Sequence, residues 1–118
     1  MNLDRIVDAS EEQSELLEKL KETMKRSEER ILTEDELQQI VEILSRLSEL
    51  RKDISALADL EGEDADLLKE FYAIVGGEEE RMLFQELLEL VKKGRIRIPR
   101  EVVEKHLQEI DEFTKLFR

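Results

Sequence analysis

The sequence predicts an all-α protein: a long antiparallel helical hairpin followed by three shorter helices, with one short extended segment near 95-98. Three observations predict it. Apolar residues recur at helical spacing along most of the chain. A capping signal at Leu32-Thr33-Glu34-Asp35-Glu36-Leu37 divides two such stretches. The second stretch also meets no Gly or Pro until Gly62.

The turn at residue 33 organises the rest. Thr33 is placed to accept the backbone N–H of Glu36, and the Glu36 carboxylate to reach back to the N–H of Thr33. Leu32 and Leu37 occupy the two positions that clamp the chain as it enters a helix. A helix tip with apolar periodicity on both sides reads as a helical hairpin.

The first helix carries Leu3, Ile6, Val7, Leu17, Leu20, Met24 and Ile31. Ser10, Gln13 and Ser27 fill seam positions between them and narrow the stripe. Ser10-Glu-Glu-Gln13 also spells a capping box, but a single helix from Leu3 to Ile31 is the favoured reading. The second helix carries Leu37, Ile40, Val41, Leu44, Leu47, Ile54, Leu57 and Ala58, with Ile43, Leu50 and Leu60 widening its face. Each rod would be about 40 Å long at 1.5 Å per residue. Residues 1-61 therefore form the hairpin, and 62-118 a three-helix region packed on or beside it.

Beyond Gly62, Asp64 can cap a helix over Ala65 to Val75, which Gly76-Gly77 breaks. Glu78-Glu79-Glu80 opens the next helix with negative charge at the positive end of its dipole. Met82, Leu83, Phe84, Leu87, Leu88, Leu90 and Val91 make it strongly apolar, and Gly94 stops it. Arg95-Ile96-Arg97-Ile98 alternates like a short strand before Pro99. Pro99 fits the first position of a last helix bearing Val102, Val103, His106, Leu107, Ile110, Phe113, Leu116 and Phe117.

The totals narrow the function. At 118 residues the chain can bury one core, which must be aliphatic with four Phe, one Tyr and no Trp. A net charge of −12 argues against direct nucleic-acid binding and against anionic membranes, since both require a local excess of Lys and Arg. No stretch approaches the roughly 20 apolar residues that span a bilayer. Without cysteine there are neither disulfides nor thiolate metal sites, and a cytoplasmic location is expected. Abundant Glu, Lys and Arg with one Asn fits thermophile usage.

Glu11-Glu12-x-x-Glu15 resembles the first metal-binding half of the all-α nucleotide pyrophosphohydrolases, a likeness that implies magnesium-dependent hydrolysis. That family's second element, E-x-x-D, lacks a matching partner: Glu63-x-x-Asp66 lies too far on, and Glu49 and Asp53 have the wrong spacing. His106, the sole histidine, falls on or beside the last helix's apolar stripe with Glu109 at i+3, and reads as a partly buried structural residue. A phosphate at Gly76-Gly77 would meet three glutamates, so that pair reads as a helix break.

Lys92-Lys93-Gly94-Arg95-Ile96-Arg97-Ile98-Pro99-Arg100-Glu101-Val102 resembles the first strand of the AbrB/MazE swapped-hairpin DNA-binding family. The resemblance implies further strands, whereas here a helix follows. The segment is then either a linker whose charges answer the Asp59–Asp66 loop or an edge strand pairing with another chain. Leu50-Arg51-x-x-Ile54-x-x-Leu57-Ala58 followed by Glu78-Glu79-Glu80-Arg81-x-x-Phe84 is similar to the helical domain of archaeal GINS replisome subunits, which implies a scaffold role.

The expected function is a non-enzymatic protein-protein interaction or assembly module without catalytic residues, cofactor or metal, self-associating through the hairpin's apolar face. A protein partner or a homodimer would cover Val7, Leu16, Val41, Ile43 and Leu50, which widen the stripe beyond one partner helix. Arg95, Ile96, Arg97 and Ile98 are the second candidate contact. The alternatives are an acidic mimic of nucleic acid that binds a basic protein, a GINS-like scaffold and the magnesium-dependent hydrolase.

Overall fold

A computed structural model of the chain describes residues 2–58 and 77–115. Four helices account for most of them: α1 (Asn2–Glu29), α2 (Glu34–Ala58), α3 (Glu78–Lys92) and α4 (Arg100–Lys115). The expected helix at 65-75, the Gly62 stop, the Asp59–Asp66 loop and Phe71, Tyr72, Leu116 and Phe117 lie outside the described residues. None of the described helices is long and apolar enough to cross a membrane.

The turn between α1 and α2 has the geometry its sequence spells. Thr33 N–H donates to Glu36 Oε1 at 2.9 Å, and Glu36 N–H donates to Thr33 Oγ1 at 3.2 Å. Two orphan donors at the start of α2 are thereby satisfied. Leu32 is buried, and Leu37 packs against the same core. Arg26 of α1 and Arg30 just beyond its end both reach Glu36, and farther along the hairpin Arg46 Nη2 donates to Glu12 at 2.8 Å. Partners that rise along α2 as they fall along α1 are the mark of antiparallel helices.

α1 runs through Ser10 without a break, so its capping-box spelling is not used. Ser10, Gln13 and Ser27 are all buried in the seam. The end of α3 closes in a Schellman motif. Gly94 at φ 75° sends its N–H to the Val91 carbonyl at 3.0 Å, while Arg95 N–H reaches the Leu90 carbonyl at 2.9 Å.

Residues 95-98 are not a strand, which corrects the extended-segment expectation: they form a bent connection, and no strand occurs among the described residues. Their alternation has another cause. Ile96 and Ile98 turn into the core at 1% and 7% exposure while Arg95 and Arg97 face water. Pro99 lies one residue before α4, and its carbonyl accepts the Val102 N–H at 3.1 Å.

One apolar cluster draws on all four helices, with Leu20, Ile40, Leu44, Leu47, Phe84, Leu87 and Val103 sealed in it. A smaller one joins Ala9, Leu50, Ile54 and Phe113. Thus α3 and α4 cover the broad apolar face of the hairpin.

Candidate functional site

Where the two apolar clusters meet, each helix contributes a polar side chain. Gln13 comes from α1, Arg51 from α2, Glu80 from α3, and His106 with Glu109 from α4. Arg51 pairs with Glu80, their side chains 5% and 1% exposed, and Gln13 Nε2 donates to the other Glu80 oxygen at 2.8 Å. The second arm of the guanidinium, Nη2, lies 2.9 Å from His106 Nδ1 and 3.2 Å from Glu109 Oε2. Ser48 Oγ donates to the same Glu109 oxygen at 3.1 Å.

A guanidinium has no acceptor, so His106 Nδ1 takes the hydrogen bond and the ring proton sits on Nε2. Phe84 stacks on this ring with centroids 5.8 Å apart. Burial, with Arg51 adding to it, lowers the His106 pKa to about 4 and keeps the ring neutral. Burial also pushes the Glu80 carboxyl above the usual carboxylate range, against Arg51 and Gln13, which favour its charged form. Burial raises Glu109 too, but hydrogen bonds from Arg51 and Ser48 outweigh it and hold this group below its ordinary value.

At the centre of this layer the charged pair is sealed in, whereas the Glu109 side chain is 31% exposed. A charged pair so placed fixes which helix faces meet, because any other register strands a buried charge. Its members escaped sequence reasoning as a set. Arg51 stands four residues after Leu47 and three before Ile54, in the seam of α2. Glu80 stands three and four residues before Leu83 and Phe84 on the buried side of α3. A charged residue at a core position was the available signal.

The sequence-nominated contact residues divide. Ile43 and Leu50 are buried at 7% and 3%, covered by their own chain, as are Ile96 and Ile98, so these four are corrected from surface candidates to core. Leu16 and Val41 are half-buried against the core. Val7, Arg95 and Arg97 are exposed. Glu11 and Glu15 are exposed as well, while Arg46 engages Glu12 and holds its carboxyl below the ordinary value. Among the described residues no three His, Asp or Glu side chains converge as a metal site.

A surface groove of about 740 Å³ lies between α1 and α3, lined by Met24, Leu83 and Leu90 and by the exposed Met82. Lys21, Lys25 and Lys93 alternate around it with Glu28, Glu86 and Glu89. Comparison with protein-family models, with curated proteins and with solved structures finds no match for this chain.

Proposed function

We propose that this chain is a non-enzymatic protein–protein interaction and assembly module that associates with further copies of itself, in a cytoplasmic setting consistent with its cysteine-free sequence. The reading rests on one observation. Among the described residues, Glu80, His106 and Glu109 are tied to Arg51 within the bundle, whereas Val7, Ile31 and Met82 stand exposed at 42%, 78% and 61%.

A general acid or base must come within about 3 Å of the proton it moves. Glu80, at 1% side-chain exposure, offers no such approach. Exposed apolar side chains rimmed by charge are instead what a protein partner covers, and most soluble oligomers are built from copies of one chain.

Sedimentation equilibrium from micromolar to millimolar concentration is the test. Masses above the 13.9 kDa of one chain are expected, rising with concentration. A 13.9 kDa species throughout the range would overturn the reading.

A further inference from the structure

The polar ties between α2 and α4 converge on two atoms. Among the described residues, every side-chain hydrogen bond or ion pair joining these helices ends on His106 Nδ1 or Glu109 Oε2, about one turn apart on α4. Arg51 Nη2 donates to both, and Ser48 Oγ donates to the second. The other seams are tied elsewhere. Arg51–Glu80 joins α2 to α3, Gln13–Glu80 and Lys21–Glu79 join α1 to α3, and Arg81 lies 3.4 Å from Asp111 between α3 and α4.

Both atoms accept, and one of them can become a donor. With the ring proton on Nε2, Nδ1 is the only place where His106 can take a second proton. An N–H there would confront the Arg51 N–H across 2.9 Å, so the bond to Arg51 ends when the proton arrives. Glu109 Oε2, 3.8 Å from Nδ1, can accept the new N–H. In doing so it turns from Arg51 and Ser48 on α2 to a residue of its own helix.

We propose that His106 is an acid-operated release for α4: on protonation it exchanges Arg51 for Glu109, and the α2–α4 seam parts while α3 keeps its ties to both helices. The parted seam bares Leu50 and Ile54 on α2 and Phe113 on α4, which pack together in the closed bundle.

The surroundings of the ring give the sign. From α2 it meets Arg51, and from α3 Phe84 stacks on it while Glu80 holds the other arm of Arg51. From α1 the uncharged Gln13 joins the layer through Glu80. On α4 itself, Lys105 opposes an imidazolium and Glu109 favours one. Burial, followed by Arg51, brings the pKa down to about 4 in the closed bundle. A parted seam returns the ring to water and to an ordinary value near 6.5. The open form therefore binds the proton more tightly, and opening gains as pH falls from about 6.5 toward 4. Glu109, held below its ordinary value, is charged over most of that window and available as the new partner.

Amide hydrogen exchange from pH 7 to 4, corrected for the intrinsic rate, reads the opening of each helix. The opening constant of α4 amides from Val103 to Ile110 is expected to rise about tenfold per pH unit, one proton being taken up per opening. It should do so ahead of the Leu20 and Ile40 amides in α1 and α2. Nitrogen chemical shifts of the ring should show Nδ1 gaining its proton over the same range. If α4 stays protected until all four helices exchange together, the release is overturned and His106 acts on global unfolding alone.

Glu109→Gln tests the change of partner. Glutamine keeps an acceptor for Arg51 and Ser48 but offers no charge to an imidazolium. The His106 titration and the opening of α4 should both move to lower pH in this variant. A titration that does not move would overturn the exchange of Arg51 for Glu109.

Discussion

Arg51 and Glu80 form an ion pair sealed from solvent, 29 positions apart in the chain, that ties the second helix to the third. Removing one member leaves the other as an uncompensated buried charge. Arg51→Met is therefore expected to cost about 3–5 kcal/mol in urea unfolding, while Arg51→Met with Glu80→Met together should cost less than either alone. The double change still leaves His106 Nδ1 without its donor, so full recovery is not expected. Strictly additive losses would mean the two residues act independently.

The same layer sets a pH dependence. His106 has its pKa lowered to about 4 by burial, with Arg51 contributing, from an ordinary value near 6.5. The unfolded chain thus binds the proton first as pH falls, so stability is complete above about 6.5 and declines toward about 4, by roughly 3 kcal/mol at most. Below that window both states are protonated and this contribution is flat. Glu80 acts in the opposite direction: burial raises its carboxyl, so its contribution favours lower pH and fades as pH rises through its folded value. Glu109, held below its ordinary value, loses its stabilising charge as the solution acidifies further. Urea midpoints of the native chain and of His106→Gln across pH 7 to 4 isolate the histidine term. A slope unchanged by the substitution would remove His106 as its source.

Local chemistry was legible in the sequence and distant pairing was not. Thr33 and Glu36 are three residues apart, so the capping box declares itself, and Gly94 marks a helix end by the same short-range logic. The widened stripe at Ile43 and Leu50 correctly required more than one partner helix. Periodicity alone could not say that α3 and α4 of the same chain would supply it. Arg95-Ile96-Arg97-Ile98 has the period of a strand because two side chains point inward and two outward, and a bent connection satisfies that pattern as well as an edge does. Glu80 reads in the sequence as one of three charges that open a helix, and Arg51 as part of a scaffold-like spelling, because nothing within a few residues of either names its partner.

Thr33→Ala should lower stability by about 1 kcal/mol through the lost cap. Leu44→Ala or Leu47→Ala should cost about 2–5 kcal/mol, both leucines being fully enclosed. Thermal unfolding that ranks Thr33→Ala as the worst of the three would contradict the packing described.

Gly94→Ala tests backbone conformation without a packing change. A Cβ there meets nothing within 4 Å, but φ of 75° is a region L residues avoid. The expected cost is about 1–2 kcal/mol, all of it from the backbone. Gly94→Asn should cost less, since asparagine tolerates the left-handed region. Equal losses for alanine and asparagine would argue against that conformation.

Ser10 provides the reverse case, a substitution expected to stabilise. Its side chain is buried at 8% exposure, and its Oγ has no hydrogen-bond partner among the described residues. A buried hydroxyl without a partner bears its full desolvation cost, on the order of 1–3 kcal/mol. Ser10→Ala removes that oxygen, keeps the Cβ and improves helix propensity in the middle of α1. The midpoint of thermal unfolding should therefore rise, with the gain set by how much of the cost local relaxation already relieves. Ser27 is the internal control: it is buried still more deeply, but its hydroxyl donates to the Met24 carbonyl, so Ser27→Ala should gain less. Were Ser10→Ala to destabilise while Ser27→Ala did not, the Ser10 hydroxyl would have a partner, and the seam of α1 would be held by a bond at that position.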